Sequence, residues 1–202
     1  NLGLYSRFSF SMLGIDNKFV IGYKSQPKLK AAMIQNEIQA LTTGNPGYFA
    51  FYVNDTLKKG LGIALFQHPG FDLKGNYRKP THITGVPYFM DFYKKVKGGT
   101  PSGDAYEAYK WFSTYQNYSS WLVMHPKTPD NITSVLRKAV SDNWKDPATL
   151  ALYKKGNKVA PVILSAKEAM ALASNFNTMT EGAKRYYQEQ FGIAKASRKK
   201  KK

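Results

Sequence analysis

The sequence predicts an α/β fold, and three observations carry that prediction. Short apolar runs of strand type recur at residues 18–21, 37–41, 62–66, 121–124 and 159–164. The stretches between them space their apolar residues as helices do, and Ser, Asp or Pro stands at several of their starts. The first strand, helix and strand follow one another within residues 18–41, an order that requires parallel pairing.

Taken in order, residues 4–13 open as a helix, with Ser6 as its N-cap and Gly14 as its stop. Residues 18–21 form a β-branched strand closed by Gly22. Pro27 suits the first turn of the next helix, whose body at 28–35 places Leu29, Ala32 and Met33 on one face. Residues 37–41 read as a second strand, and Asn45-Pro46-Gly47 as a turn. Residues 48–57 are aromatic and lean to helix, while 62–66 form an apolar run of buried-strand type. A loop rich in Gly, Pro and Lys covers 69–80, and a helix is expected over 87–96.

After a glycine-rich linker at 98–103, a helix spans 104–113, capped by Ser102 or Asp104. The strand at 121–124 ends at His125-Pro126. Asp130 caps a helix to about Trp144, with Ile132, Val135, Leu136, Ala139 and Val140 as its apolar stripe. Asp146-Pro147 starts another, with Asp as cap and Pro at the first turn. Residues 159–164 form the last strand. Ser165 and Glu168 make a capping box before a helix to Thr178, and a final helix covers 181–190. The chain shows no internal repeat.

Composition narrows the chemistry. The 202 residues suffice for a core or two small lobes. No apolar run reaches membrane-spanning length. The start, Asn1-Leu2-Gly3, lacks both an initiator Met and the pattern of a signal peptide, so a mature, processed or truncated chain is expected. With no cysteine, disulfides and thiolate metal sites are excluded. The net charge is +17, and six of those positive charges lie in 195–202, leaving +11 elsewhere. Such an excess attracts anions, nucleic acid or acidic lipid. The positive residues are mostly lone lysines at scattered positions, however, so a solvated surface is the reading preferred over nucleic-acid binding. The like charges of 195–202 predict a disordered tail.

Catalytic signatures are missing. His68, His82 and His125 stand in separate loops with no metal-ligand spacing, and no metal or cofactor is expected. There is no nucleophile elbow, Walker loop or dinucleotide fingerprint. Asp142 with Asp146, and Asp104 with Glu107, suit helix caps better than acid–base pairs. The chain therefore reads as a binder and not as an enzyme. The aromatic cluster from Tyr106 to Trp121 reads as core and interface in preference to a stacking platform.

A family resemblance rests on two stretches. The first is Leu13-Gly14-Ile15-Asp16-Asn17-Lys18-Phe19-Val20-Ile21-Gly22-Tyr23-Lys24-Ser25, followed by Ala31 to Gln39 with Glu37-Ile38. The second is His125-Pro126-Lys127-Thr128-Pro129 through Leu136 and Ala139 to Asp146-Pro147. Gly85-Val86-Pro87 adds a third, shorter match. In order and spacing, from about residue 3 to 192, this resembles the periplasmic solute-binding proteins of tripartite tricarboxylate transporters. The departures are Ser25 for the family's turn glycine, Asn36 for the glycine before Glu37, Gln39 for an acid and Tyr88 for a threonine.

The resemblance implies a periplasmic-binding-protein-like, type II-like two-lobe architecture, incomplete at its N-terminus. Residues 1–118 would be the second-lobe-like domain, 119–194 the later part of the first lobe, and 195–202 the basic tail. It also implies a periplasmic location, membrane transporter subunits as partners, and a small carboxylate held in the cleft by backbone N–H groups at helix starts. Those starts suit anions, since their donors are unpaired and carry partial positive charge. The candidate ligand-binding residues are Tyr5, Ser6, Tyr23, Ser25 and Thr43, with Gly3 and Thr42 weighed beside them and assigned instead to capping or packing. Nothing corresponds to the family's opening strand and glycine-bearing loop. The sheet edge left open would need cover: another chain supplies it, the fold is rebuilt, or the chain is a fragment. Two other readings stay open: a structural subunit that kept the fold and lost the site, and an anionic-surface binder whose hold would weaken steeply with salt.

Overall fold

The structure, a computed structural model, describes residues 2–190 apart from 73, 80–82, 117, 119, 159, 175 and 177. The expected tail at 195–202, together with His82 and Val159, lies outside the described residues. Among the described residues the fold is predominantly helical, with one two-stranded sheet.

The elements run α1 (Gly3–Leu13), α2 (Gln26–Ile34), α3 (Asn45–Gly47) passing directly into a π-helix (Tyr48–Leu57), β1 (Gly70–Phe71), β2 (Tyr77–Arg78), α4 (Phe89–Lys97), α5 (Gly103–Gln116), α6 (Asp130–Asn143), α7 (Pro147–Asn157), α8 (Ala166–Ser174) and α9 (Glu181–Gln190). They group into two compact units. One comprises Asn1–Thr114 and the chain from Met179 onward, the other Tyr115–Thr178. The first division thus falls four residues before 118, and α9 belongs with the first unit instead of with 119–194.

Most helix boundaries follow from local chemistry. Gly14 stops α1 in a left-handed conformation at φ 73°, its N–H returning to the Phe10 and Ser11 carbonyls. Asp146 caps α7 by accepting from the Thr149 N–H at 2.7 Å, with Pro147 at the first turn. Ser165 and Glu168 form the reciprocal capping box of α8: the Glu168 carboxylate accepts from the Ser165 N–H at 2.8 Å, and Ser165 Oγ accepts from the Glu168 N–H at 3.2 Å.

The strands depart from expectation. The sheet is an antiparallel hairpin, Gly70 opposite Arg78 and Phe71 opposite Tyr77, inside the segment read as loop. Asp72 builds its turn, accepting from the backbone of Lys74 and Asn76 at 2.9 Å each. The runs at 18–21, 62–66, 121–124 and 160–164 lie outside every helix, yet no ladder joins them to a described strand. Among the described residues, parallel pairing is reduced to a single bridge, Gln67 with Tyr88. Residues 37–41 form no strand either. Asn36 turns left-handed at φ 61°, and the Glu37 and Ile38 N–H groups fold back onto the Ala32 carbonyl to close α2. Asn36 holds that turn without being glycine because a short amide side chain tolerates left-handed backbone.

The core lies in the first unit. Leu4, Tyr5, Phe8 and Leu13 of α1 meet Phe71 of β1, Phe89 of α4, Ala108, Tyr109 and Phe112 of α5 and Ala183 of α9. Several aromatic pairs meet edge to face: Tyr5 and Phe112 have centroids 4.8 Å apart at 71°, and Phe71 stands at 88° to Tyr109. In the second unit α6 and α7 bury no residue and α8 buries Leu172. The apolar stripe of α6 is exposed, Val135 at 66%.

Candidate functional site

The starts of the first three helices differ from those of the later ones in charge. Acids occupy the first turns of α4, α5, α6, α8 and α9, at Asp91, Asp104, Asp130, Glu168 and Glu181, and Asp146 caps α7. The starts of α1, α2 and α3 have no acid in the first turn and no side-chain cap. Their leading N–H groups are therefore left for water or an anion, at the positive end of each peptide array.

These three starts are neighbours. Leu2, ahead of α1, reaches Gly44, ahead of α3: a Cβ built on Gly44 would meet Leu2 Cδ1 at 3.8 Å. Ser6 of α1 hydrogen-bonds Thr42 hydroxyl to hydroxyl. A side chain at Gly47 would overlap Thr43 Oγ1 and meet Gln26 Cδ, at the start of α2, at 3.6 Å. Glycine is thus required there by close approach, and Asn45-Pro46-Gly47 brings α3 against α2. The Tyr52 hydroxyl closes the group, donating to Gln26 Oε1 at 3.0 Å.

Of the residues expected to bind, the structure brings Ser6 and Thr43 into this junction, and Ser25 precedes α2 as its extended N-cap. Thr42, assigned to packing from sequence, is Ser6's partner. Thr43 Oγ1 also reaches the Gly44 carbonyl at 3.4 Å. Comparison with protein-family models, curated proteins and solved structures finds no match.

Tyr5 and Tyr23 sit elsewhere. Tyr5 is 5% exposed, and its ring lies in the core against Phe112 and Tyr109. Burial raises its hydroxyl pKa to about 12. Tyr23 donates to Glu37 Oε2 at 3.2 Å, tying the strand-like segment ahead of α2 to the turn behind it. Its pKa is raised by desolvation and by that carboxylate. Gly3 lies under the Phe19 ring, which leaves no room for a side chain.

Sequence reasoning missed Gln26, Gly44, Gly47 and Tyr52. A usable signal was present: three successive helix starts without an acid, in a chain that supplies one to every later start.

Among the described residues no three His, Asp or Glu side chains converge as metal ligands. No described helix is long and apolar enough to cross a membrane.

Proposed function

We propose that this chain is a solute-binding protein resembling the receptor of a tripartite tricarboxylate transporter, and that it holds a small carboxylate at the junction of α1, α2 and α3. The observation that carries this reading is the absence of acids and capping side chains from three adjoining helix starts. A carboxylate there accepts hydrogen bonds from backbone N–H groups and from hydroxyls such as Ser6 and Thr43, and the partial charges of the helices favour it. The reading includes a periplasmic location, delivery to membrane transporter subunits and no catalysis. The finer fold that goes with it is of the periplasmic-binding-protein type, with segments 18–21 and 62–66 as sheet strands that lack their neighbours.

Ser25→Asp tests the site without weakening the fold. An acid at that N-cap satisfies the start of α2 internally and competes with an incoming anion. Thermal-shift and calorimetric titration of the native chain with succinate, malate and citrate should show stabilisation by at least one of them. The variant should keep or raise its unliganded melting temperature and lose the response. If none of the three acids stabilises the native chain, the receptor reading fails.

A second reading, a non-catalytic structural subunit, is favoured by the exposed apolar segments. Ile21 is 82% exposed and Ile63 80%, both in segments that belong to no helix and no described ladder. Extended edges with apolar side chains pair readily with another chain. In this reading the protein purifies from its native source in a stoichiometric assembly, and Ile21→Thr with Ile63→Thr releases it as a folded free chain. Recovery of the unaltered protein as a free monomer would exclude that role.

A further inference from the structure

A separate cavity of about 350 Å³ lies along the outer face of α1, lined by Arg7, Ser11, Asp16, Asn17, Phe19 and Gln190 among others. Its two charged walls have opposite sign. Arg7 is held from two sides before any ligand arrives. Its guanidinium carbon stands 4.2 Å from the centre of the Phe19 ring, and Nη1 donates to the Gln190 carbonyl at the end of α9. A guanidinium has five N–H donors, so further donors remain after that bond. No carboxylate among the described residues pairs with Arg7, and Asp16 makes no hydrogen bond or ion pair with a described residue. The Asn17 amide donates to the Ile15 carbonyl at 3.2 Å, which fixes the loop that carries Asp16 and leaves the Asn17 side-chain oxygen as an acceptor.

We infer that this cavity is a second binding site, for a small zwitterion carrying a carboxylate and a protonated amine. A plain anion bound here would meet Asp16, and a plain cation would meet Arg7. A molecule with both charges satisfies both walls, the carboxylate on the pre-set guanidinium and the amine on Asp16 and the Asn17 oxygen. Because Arg7 is already immobilised, little side-chain entropy is lost when it takes up the carboxylate. The site shares the Phe19 ring with the start of α1, where that ring covers Gly3, but its charged groups, Arg7 and Asp16, are not residues of the junction, and binding there does not depend on the junction's function.

Calorimetric titration of the 202-residue chain at low salt tests this, using L-alanine, L-leucine and L-glutamine, each against its N-acetyl derivative. The free amino acids are expected to bind at least tenfold more tightly than the acetylated forms, which lack the positive end. Asp16→Asn should erase that preference, and since Asp16 supports no described contact its fold is kept. Arg7→Gln should remove binding of both series. Excess succinate should leave the amino-acid isotherm in place. The proposal is overturned if no amino acid binds, if Asp16→Asn keeps the tenfold preference, or if succinate displaces the amino acid.

Discussion

Tyr5 lies flat against His68, their ring centroids 4.1 Å apart and their planes within 17°. His68 Nδ1 is 3.0 Å from the Tyr109 hydroxyl, and Phe66 and Phe89 flank the ring. Enclosed this way, the imidazole resists protonation, and burial lowers its pKa from 6.5 to about 3. In the unfolded chain it titrates near 6.5. Above that pH neither state holds the proton. Below it the unfolded chain takes up a proton that the fold refuses, so stability falls as pH drops from about 6.5 toward 3. The loss should reach about 2 kcal/mol by pH 5. Urea unfolding at pH 7.5 and pH 5 measures it, and His68→Phe should flatten the dependence between those values.

Phe8 is fully buried, with Phe112, Tyr186 and Tyr187 around it at 5.8 to 6.0 Å between ring centres. Phe8→Ala should cost about 3–5 kcal/mol in urea unfolding, because the surrounding rings sit on two other helices, α5 and α9, and cannot collapse together into the space. Phe8→Leu should cost distinctly less. Equal losses would mean that cavity formation is not the cause.

Gly14→Ala tests the stop of α1. The left-handed backbone at φ 73° costs a Cβ-bearing residue about 1 kcal/mol, and the nearest side-chain atom, Lys97 Nζ at 3.5 Å, leaves space enough for the methyl. The penalty is therefore conformational. Gly14→Asn should recover part of it, since Asn tolerates this region.

The two units should differ in local stability. The core of rings and aliphatic side chains belongs to α1, α4, α5 and α9, whereas α6 and α7 bury nothing. Amide hydrogens of α6 and α7 should exchange at least roughly a hundredfold faster than those of α1 and α5. Equal protection would show that the second unit draws stability from something other than buried apolar surface.

How legible each part of this fold was depended on the range of the interactions that set it. Caps and stops act within four residues, so Gly14, Pro27, Asp146 and the Ser165–Glu168 box could be read directly and stand where they were expected. A strand acquires its identity from a neighbour that may be far away in the chain. Val20, Ile63 and Val123 have strand-forming surroundings, but no described strand lies beside them. The hairpin was hidden because its two-residue strands are too short to show alternation; Asp72, Gly75 and the flanking Phe71 and Tyr77 were its one local trace. At the junction, Ser6 was legible as a hydroxyl at the first helix, whereas Thr43 was singled out as following a strand at 37–41 that does not form. The approach of Gly47 to Gln26 depends on tertiary geometry and was not legible. Tyr5 belongs to an i, i+3 pair with Phe8, and that spacing marks the inward face of α1.

The wide winding of Tyr48–Leu57 makes chain length itself a setting. Each N–H reaches five residues back, as the Lys58 N–H does to Val53 at 3.0 Å. Excising one residue from this stretch would restore ordinary winding and swing the part before the cut by about 100° against the part after it. Tyr52 would then leave Gln26. Descendants of this chain that differ by a single codon here would differ in whether the three helix starts are clasped together at all.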